Sequence, residues 1–398
     1  MFTKGLVITF VLTLMLGLSL LLITACNARD ERPNRDRPPS APPIASTLAP
    51  ATETATIKSV SPAPTGIPPT ATQTRVSPSL TLVPPTATRL APNATTAPTP
   101  ARLAFKKGRN DYVITVDNTP RRMIVYVSNK YDPARATPVV FMFHGSSQSG
   151  NVMYESTDWV NKAEEENIIT IFPTSWQYPL IGENGLHEKW NSTEVLAMVP
   201  AGTPLKDDVH FVRVMLEQVR ATFNVDNKRI FATGFSNGGM FVSTRLMAEM
   251  NDDLAAFAIC GAGLFSTKEN PLDPSTIKAR VDASLYSIVG TNDELVAEGT
   301  GYPRPFPIRA EDIIKHPLFH DLFVATTTVL SLDLAPATES QPLFTRFTFD
   351  KSLVGAKNEY IFLMVENMLH VYPNGDNNRA RLNASNLFWD FFLRHAKP

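Results

Sequence analysis

Residues 228–240 read Lys-Arg-Ile-Phe-Ala-Thr-Gly-Phe-Ser-Asn-Gly-Gly-Met. The β-rich run 229–233 leads into Gly234-Phe235-Ser236-Asn237-Gly238, which fits G-x-S-x-G, and 240–250 carries a helical pattern. Strand, sharp turn and helix in that order form the context of a nucleophile elbow, which lifts a serine hydroxyl beyond the edge of a sheet. Such a turn is strained and so tight that side chains two positions either side of the serine would clash, hence the flanking glycines. Gly239 lets the following helix approach the sheet closely.

Around this stretch, continuous apolar runs at 139–143, 168–172, 230–233, 256–260, 285–289 and 360–365 have the character of strands buried on both faces. Two alternating runs, 112–116 and 123–127, precede them and suit antiparallel strands near an edge. Between the buried runs lie amphipathic segments. The clearest is 207–223, where Val209, Val212, Leu216, Val219 and Phe223 recur on one face and Asp207 and Asp208 favour the positive end of the helix. Alternation of buried strand and helix predicts a mostly parallel sheet covered on both faces, the α/β class, and with the leading hairpin the α/β-hydrolase layout. One large domain is expected over 105–398. Residues 299–343 fit the alternation least well and are expected to be an insertion over the sheet's top edge, placed where a lid would lie.

The front of the chain differs. Residues 1–26 open with Lys4, continue through an apolar run from 5 to 23, and close on Ile-Thr-Ala-Cys, the pattern of an export signal. The first of only two cysteines, Cys26, follows Thr24-Ala25 directly. This resembles the lipobox of bacterial lipoproteins and implies lipidation of Cys26 and a membrane anchor. The run is also long enough to persist as a single membrane span, and both alternatives leave the rest of the chain outside the membrane. Residues 31–100 hold 16 of the 33 prolines and no Phe, Tyr or Trp. A segment of that kind buries too little apolar surface to offset the entropy of ordering it, so 27–104 is expected to be a disordered, partly polyproline-like tether. With Cys26 lipidated, Cys260 has no disulfide partner in the monomer, and its apolar surroundings predict a buried, inert thiol. The formal net charge of −1 offers no footprint for nucleic acid.

A serine hydroxyl attacks a carbonyl only when a base removes its proton and a carboxylate fixes that base. On this fold the order is Ser, then acid, then His, each in a turn after a strand. Gly290-Thr291-Asn292-Asp293 follows the run 285–289, and Glu366-Asn367-Met368-Leu369-His370 follows 360–365. Asp293 and His370 are therefore the expected partners of Ser236, although Asp293 also suits a helix cap. Asp321, Asp333 and Asp208 are the fallback acids. His316 and His320 are four apart, but Pro317 between them opposes a helix that would turn both toward one metal, and no metal is expected. Charge that develops on the carbonyl oxygen needs two fixed N–H donors. Asn237, after the nucleophile, supplies one. The loop His144-Gly145-Ser146-Ser147-Gln148-Ser149-Gly150 supplies the other, from Ser146 or next Ser147. Trp176 and Trp190 suit either pocket wall or core.

Together the 144–150 loop, Trp190-Asn191, Asp207-Asp208-Val209-His210-Phe211, Gly234-Phe235-Ser236-Asn237-Gly238-Gly239-Met240, Gly290-Thr291-Asn292-Asp293 and His370 resemble the secreted poly(3-hydroxybutyrate) depolymerase and feruloyl/acetylxylan esterase family. The resemblance spans most of 139–395 and implies a carboxylic ester hydrolase with Ser236, Asp293 and His370 as triad, an acyl-enzyme intermediate and no cofactor. Two departures bear on the substrate. Val289 stands where the family often has histidine before G-T-x-D. Met368-Leu369-His370-Val371-Tyr372-Pro373 replaces a glycine-rich lead and Thr-Trp-Pro, with Tyr372 in place of that tryptophan as an apolar wall. The rival readings are a polymer-binding protein displayed on a hydrolase scaffold and a peptidase or amidase with the same triad.

Overall fold

The computed structural model describes residues 102–263, 282–301, 303–304 and 310–398. The expected signal segment, Cys26 and nearly all of the expected tether lie outside these residues.

Among the described residues twelve strands form a ten-stranded sheet in the order β1-β2-β4-β3-β7-β8-β9-β12-β11-β10 and a separate pair, β5 and β6. In chain order they are β1 (Gly108–Val116), β2 (Thr119–Val127), β3 (Thr137–Phe143), β4 (Ile169–Pro173), β5 (Trp176–Tyr178), β6 (His187–Lys189), β7 (Val225–Phe235), β8 (Ala256–Cys260), β9 (Leu285–Gly290), β10 (Ala337–Gln341), β11 (Phe344–Phe349) and β12 (Tyr360–Val365). The run β4-β3-β7-β8-β9-β12 is parallel throughout. Antiparallel hairpins close both ends, β1 and β2 at one and β11 and β10 at the other. All six strands read from apolar runs are present, as is the leading hairpin.

Helices cover both faces because the strand side chains alternate. Along β7, Ile230 and Ala232 join one apolar cluster while Phe231 and Phe235 join the other. The first face carries α3 (Asp208–Thr222), α4 (Asn237–Phe241, continuing through a π-helical turn to Glu249) and α5 (Pro317–Leu330). The second carries α1 (Gly150–Ser156), α2 (Trp159–Glu166) and α6 (Ala384–Arg394). Asp207 caps α3 by accepting from His210 N–H at 2.9 Å.

The expected insertion at 299–343 is corrected in part. Within it α5 lies on the sheet face, with Phe323 ringed by Phe347, Phe349, Tyr360 and Phe362 at 5.1–6.3 Å. Pro317 is its first residue, where the missing N–H is not needed. Residues 337–341 form the outermost strand, β10, exposed along its length.

Parallel pairing has one consequence for chemistry. The turns after β3, β7, β8, β9 and β12 all emerge at the same sheet edge. β3 is flanked by β4 on one side and β7 on the other, with covering helices on opposite faces, so the loop after β3 and the turn after β7 face each other across a switch point.

Candidate active site

Ser236 closes β7 with φ 51° and ψ −123°, a backbone conformation costing on the order of 1–3 kcal/mol for a non-glycine residue. It is held there from both sides. Its N–H donates to Cys260 O at 2.9 Å, and its carbonyl accepts from Met240 N–H at 2.9 Å, inside α4. A side chain at Gly238 would collide with the carbonyl oxygens of Phe143 and His144, and a methyl group at Gly239 would stand 2.7 Å from Ala262 Cβ. Both expectations for these glycines, a turn without room and a helix drawn onto the sheet, hold.

Asp293 follows β9 and His370 follows β12. Asp293 divides its carboxylate. Oδ1 accepts from Leu295 N–H at 2.9 Å, capping the short helix that begins at Glu294, and Oδ2 accepts from His370 Nδ1 at 2.9 Å. Helix cap and histidine partner are thus the same residue. The two loops are tied to each other by Asn292 N–H to Met368 O at 3.0 Å and Asn367 N–H to Thr291 Oγ1 at 2.8 Å. Asp293 is 2% exposed and the His370 side chain 17%. The imidazole rests 4.8 Å from the Phe235 ring, and any side chain on Gly261 would strike it. Because Nδ1 faces a carboxylate, the proton is assigned to Nδ1 and Nε2 is the basic nitrogen. Among the described residues no hydrogen bond joins Nε2 to Ser236 Oγ; such bonds commonly tighten only with substrate in place. The fallback acids lie elsewhere: Asp208 pairs with Arg121 at 2.6 Å, Asp321 is exposed on α5, and Asp333 accepts from Ala335 N–H in a turn.

The loop after β3 is pinned at almost every residue. His144 is fully buried, donating from Nδ1 to Gly145 O at 2.7 Å and accepting at Nε2 from Ser175 N–H at 3.0 Å. Burial pushes its pKa down to about 4, so the ring is neutral. Gly145 N–H donates to Gln148 Oε1, Ser147 N–H to Glu188 O, Gln148 N–H to Gly145 O and Gly150 N–H to Thr174 Oγ1. Ser147, the second choice as oxyanion donor, is thereby committed. Ser146 N–H has no acceptor among the described residues, and neither has Asn237 N–H. β6 reaches the same loop through Lys189 Nζ to Ser146 Oγ at 2.7 Å and His187 Nδ1 to Ser147 Oγ at 3.1 Å. Next along, Trp190 donates from its ring to His144 O and from its backbone to Asn237 Oδ1.

Of the aromatic residues weighed as pocket walls, Tyr372 is corrected, Trp190 resolves to core and Trp176 borders a cavity. Trp190 is 0% exposed, packed against Phe143 and Phe241, and fastens the loop instead of lining a pocket. Tyr372 is 5% exposed in the second-face core, where its hydroxyl accepts from Trp159 Nε1 at 2.8 Å. Trp176 is half-buried on β5, with the Lys206 ammonium 5.0 Å from its ring centre, and lines a cavity of about 150 Å³ with Arg121, Arg122 and Gln177. Sequence reasoning gave no role to Lys189, nor to the tie in which buried Asp208 holds Arg121 and accepts from Asn191 N–H at 2.7 Å. Burial pushes the Asp208 carboxyl up, against the opposing pull of Arg121 and that N–H.

Residues 124–302 match the family described as Phospholipase/Carboxylesterase. A bifunctional acetylxylan esterase/xylanase of Neocallimastix patriciarum is 27% identical over 177 residues, 44% of this chain and 22% of that protein. Feruloyl esterase B of Piromyces equi is 25% identical over 181 residues, 46% of this chain and 31% of that protein. The chain therefore spans less than a third of either relative. The solved acetyl xylan esterase from Aspergillus awamori aligns over 71% of this chain and 99% of its own at 16% identity and a TM-score of 0.45. The sheet order and the elbow at Ser236 are those of the α/β-hydrolase fold, and the part of the chain that matches the Phospholipase/Carboxylesterase family runs from β2 through the short helix after β9.

Proposed function

We propose that the chain is an exported serine esterase, tethered to the cell envelope through Cys26, that acts on acetyl or feruloyl esters of polysaccharide or on a hydroxyalkanoate polyester. The observation that carries the catalytic reading is the Asp293–His370 hydrogen bond, with the imidazole resting on Phe235 and Gly261, the immediate surroundings of Ser236. Ser236 Oγ attacks the ester carbonyl carbon and its proton passes to His370 Nε2, while Asp293 steadies the imidazolium at Nδ1. The oxyanion takes hydrogen bonds from the N–H groups of Asn237 and Ser146, neither of which has an acceptor among the described residues. Collapse breaks the bond to the alcohol oxygen, which leaves with the proton from Nε2. Water then attacks the acyl-enzyme by the same route, regenerating Ser236 and releasing the acid.

The substrate class is supported by the names of the two relatives, an acetylxylan esterase and a feruloyl esterase. A binding protein on the same scaffold is the second reading, favoured by the missing Ser236–His370 hydrogen bond. A fluorophosphonate probe separates the two, since only an activated serine is labelled. With p-nitrophenyl acetate, methyl ferulate and 3-hydroxybutyrate oligomers set against peptide anilides, Ser236→Ala should lower ester turnover by roughly 10³-fold or more with thermal stability almost unchanged. Turnover left near the wild-type level in that variant contradicts the assignment.

A further inference from the structure

Lys189 is 6% exposed, yet among the described residues its ammonium has no carboxylate within ion-pair distance. Its polar partner is Ser146 Oγ at 2.7 Å, with Met198 Sδ at 3.7 Å. Withdrawing an ammonium from water costs several kcal/mol unless its surroundings compensate, and an apolar side chain would suit this place beside Met198 better. Lys189 ends β6, the strand whose neighbouring groups grip the 144–148 loop and Asn237. Of those contacts, the Lys189 bond alone reaches Ser146, the residue whose N–H remains available.

We propose that Lys189 is a positioning residue for ester hydrolysis: its ammonium, bound to Ser146 Oγ, aims Ser146 N–H at the carbonyl oxygen of an ester on Ser236 and sets a positive charge behind the developing oxyanion. The proposal rests on the serine esterase reading. It adds a source of transition-state stabilisation that the triad does not contain, since charge within a dry site acts far more strongly than in water. The groups facing Lys189 are Glu183 and Glu194, whose fields favour its charged form, Ser146 and Met198 in contact, Trp176 across the β5–β6 pair, and His187 along its own strand; His144 behind the loop is neutral. Burial outweighs the two carboxylates and lowers its pKa below that of a solvated lysine. As pH rises, Lys189 therefore loses its charge ahead of the surface lysines, and turnover should fall with it.

The test measures kcat and KM for p-nitrophenyl acetate across pH 6–10, spontaneous hydrolysis subtracted, in the full chain and in Lys189→Met, Ser146→Ala and the double variant. Fluorophosphonate labelling and thermal unfolding are followed alongside. Lys189→Met should lose roughly 10–100-fold in kcat with KM within about threefold, keep or raise its melting temperature, and lack the alkaline decline. The double variant should be no worse than Lys189→Met alone, because both changes sever one connection. Wild-type kcat in Lys189→Met, losses that multiply in the double variant, or an unchanged alkaline decline overturns the proposal. If Lys189→Met does not fold, Ser146→Ala decides, and unchanged kcat there rejects the role. Failure of the probe to label wild-type Ser236 removes the esterase reading itself, a distinct result.

Discussion

His144 holds its loop through two hydrogen bonds that require an uncharged ring, Nδ1 donating and Nε2 accepting. Its pKa is about 4 in the fold, against about 6.5 when unfolded, so between those values the unfolded chain binds the extra proton. The stability it lends is complete above pH 6.5 and is lost as pH falls toward 4, by about 3 kcal/mol in all. Urea midpoints measured from pH 7 to 4 should fall more steeply for the wild type than for His144→Gln, and equal slopes would dismiss the account. At this scale the sequence displayed Asp293 and His370 because chain order and strand ends constrain them. It could not display Lys189, a charged residue in a polar stretch whose burial depends on β5 and β6 folding over the loop. Tyr372 was misread, and Trp190 left open between wall and core, for a related reason. An indole or phenol suits a pocket wall and a satisfied core equally well, and only its partners tell them apart.

Strands were legible as elements because burial on both faces writes an unbroken apolar run, and α3 because a single apolar stripe writes a period. α5 was obscured by Pro317, taken as a breaker although it opens the helix, and by Thr326, Thr327 and Thr328, which do not look like a core helix. Thr326 and Thr327 are nevertheless buried, their hydroxyls donating to the carbonyls of Leu322 and Phe323. β5 and β6 are three residues each, too short to leave a pattern. The position of α5 on the sheet carries a prediction: Phe323→Ala, which empties the space between four aromatic rings, should lose about 3–5 kcal/mol of stability. A helix serving as a mobile cover would lose far less, so a change under 1 kcal/mol in chemical unfolding would reject this packing role.

For the whole molecule, chemistry gathers at one edge because parallel strands deliver their C-terminal turns together, a result implied by the βα alternation alone. The opposite requirement, a sheet that does not grow by adding neighbours, is met by β10, whose exposed Ala-Thr-Glu-Ser-Gln offers little apolar surface to another chain. Cys260 ends the strand beside Ser236, fully buried, and burial pushes its thiol far above the ordinary range. An alkylating reagent such as iodoacetamide should therefore pass it by in the native protein and modify it once urea opens the fold. With Cys26 as the second cysteine, the stoichiometry becomes a reading of the amino terminus. Zero equivalents native and one denatured corresponds to an acylated Cys26; one and two corresponds to a thiol that was never converted.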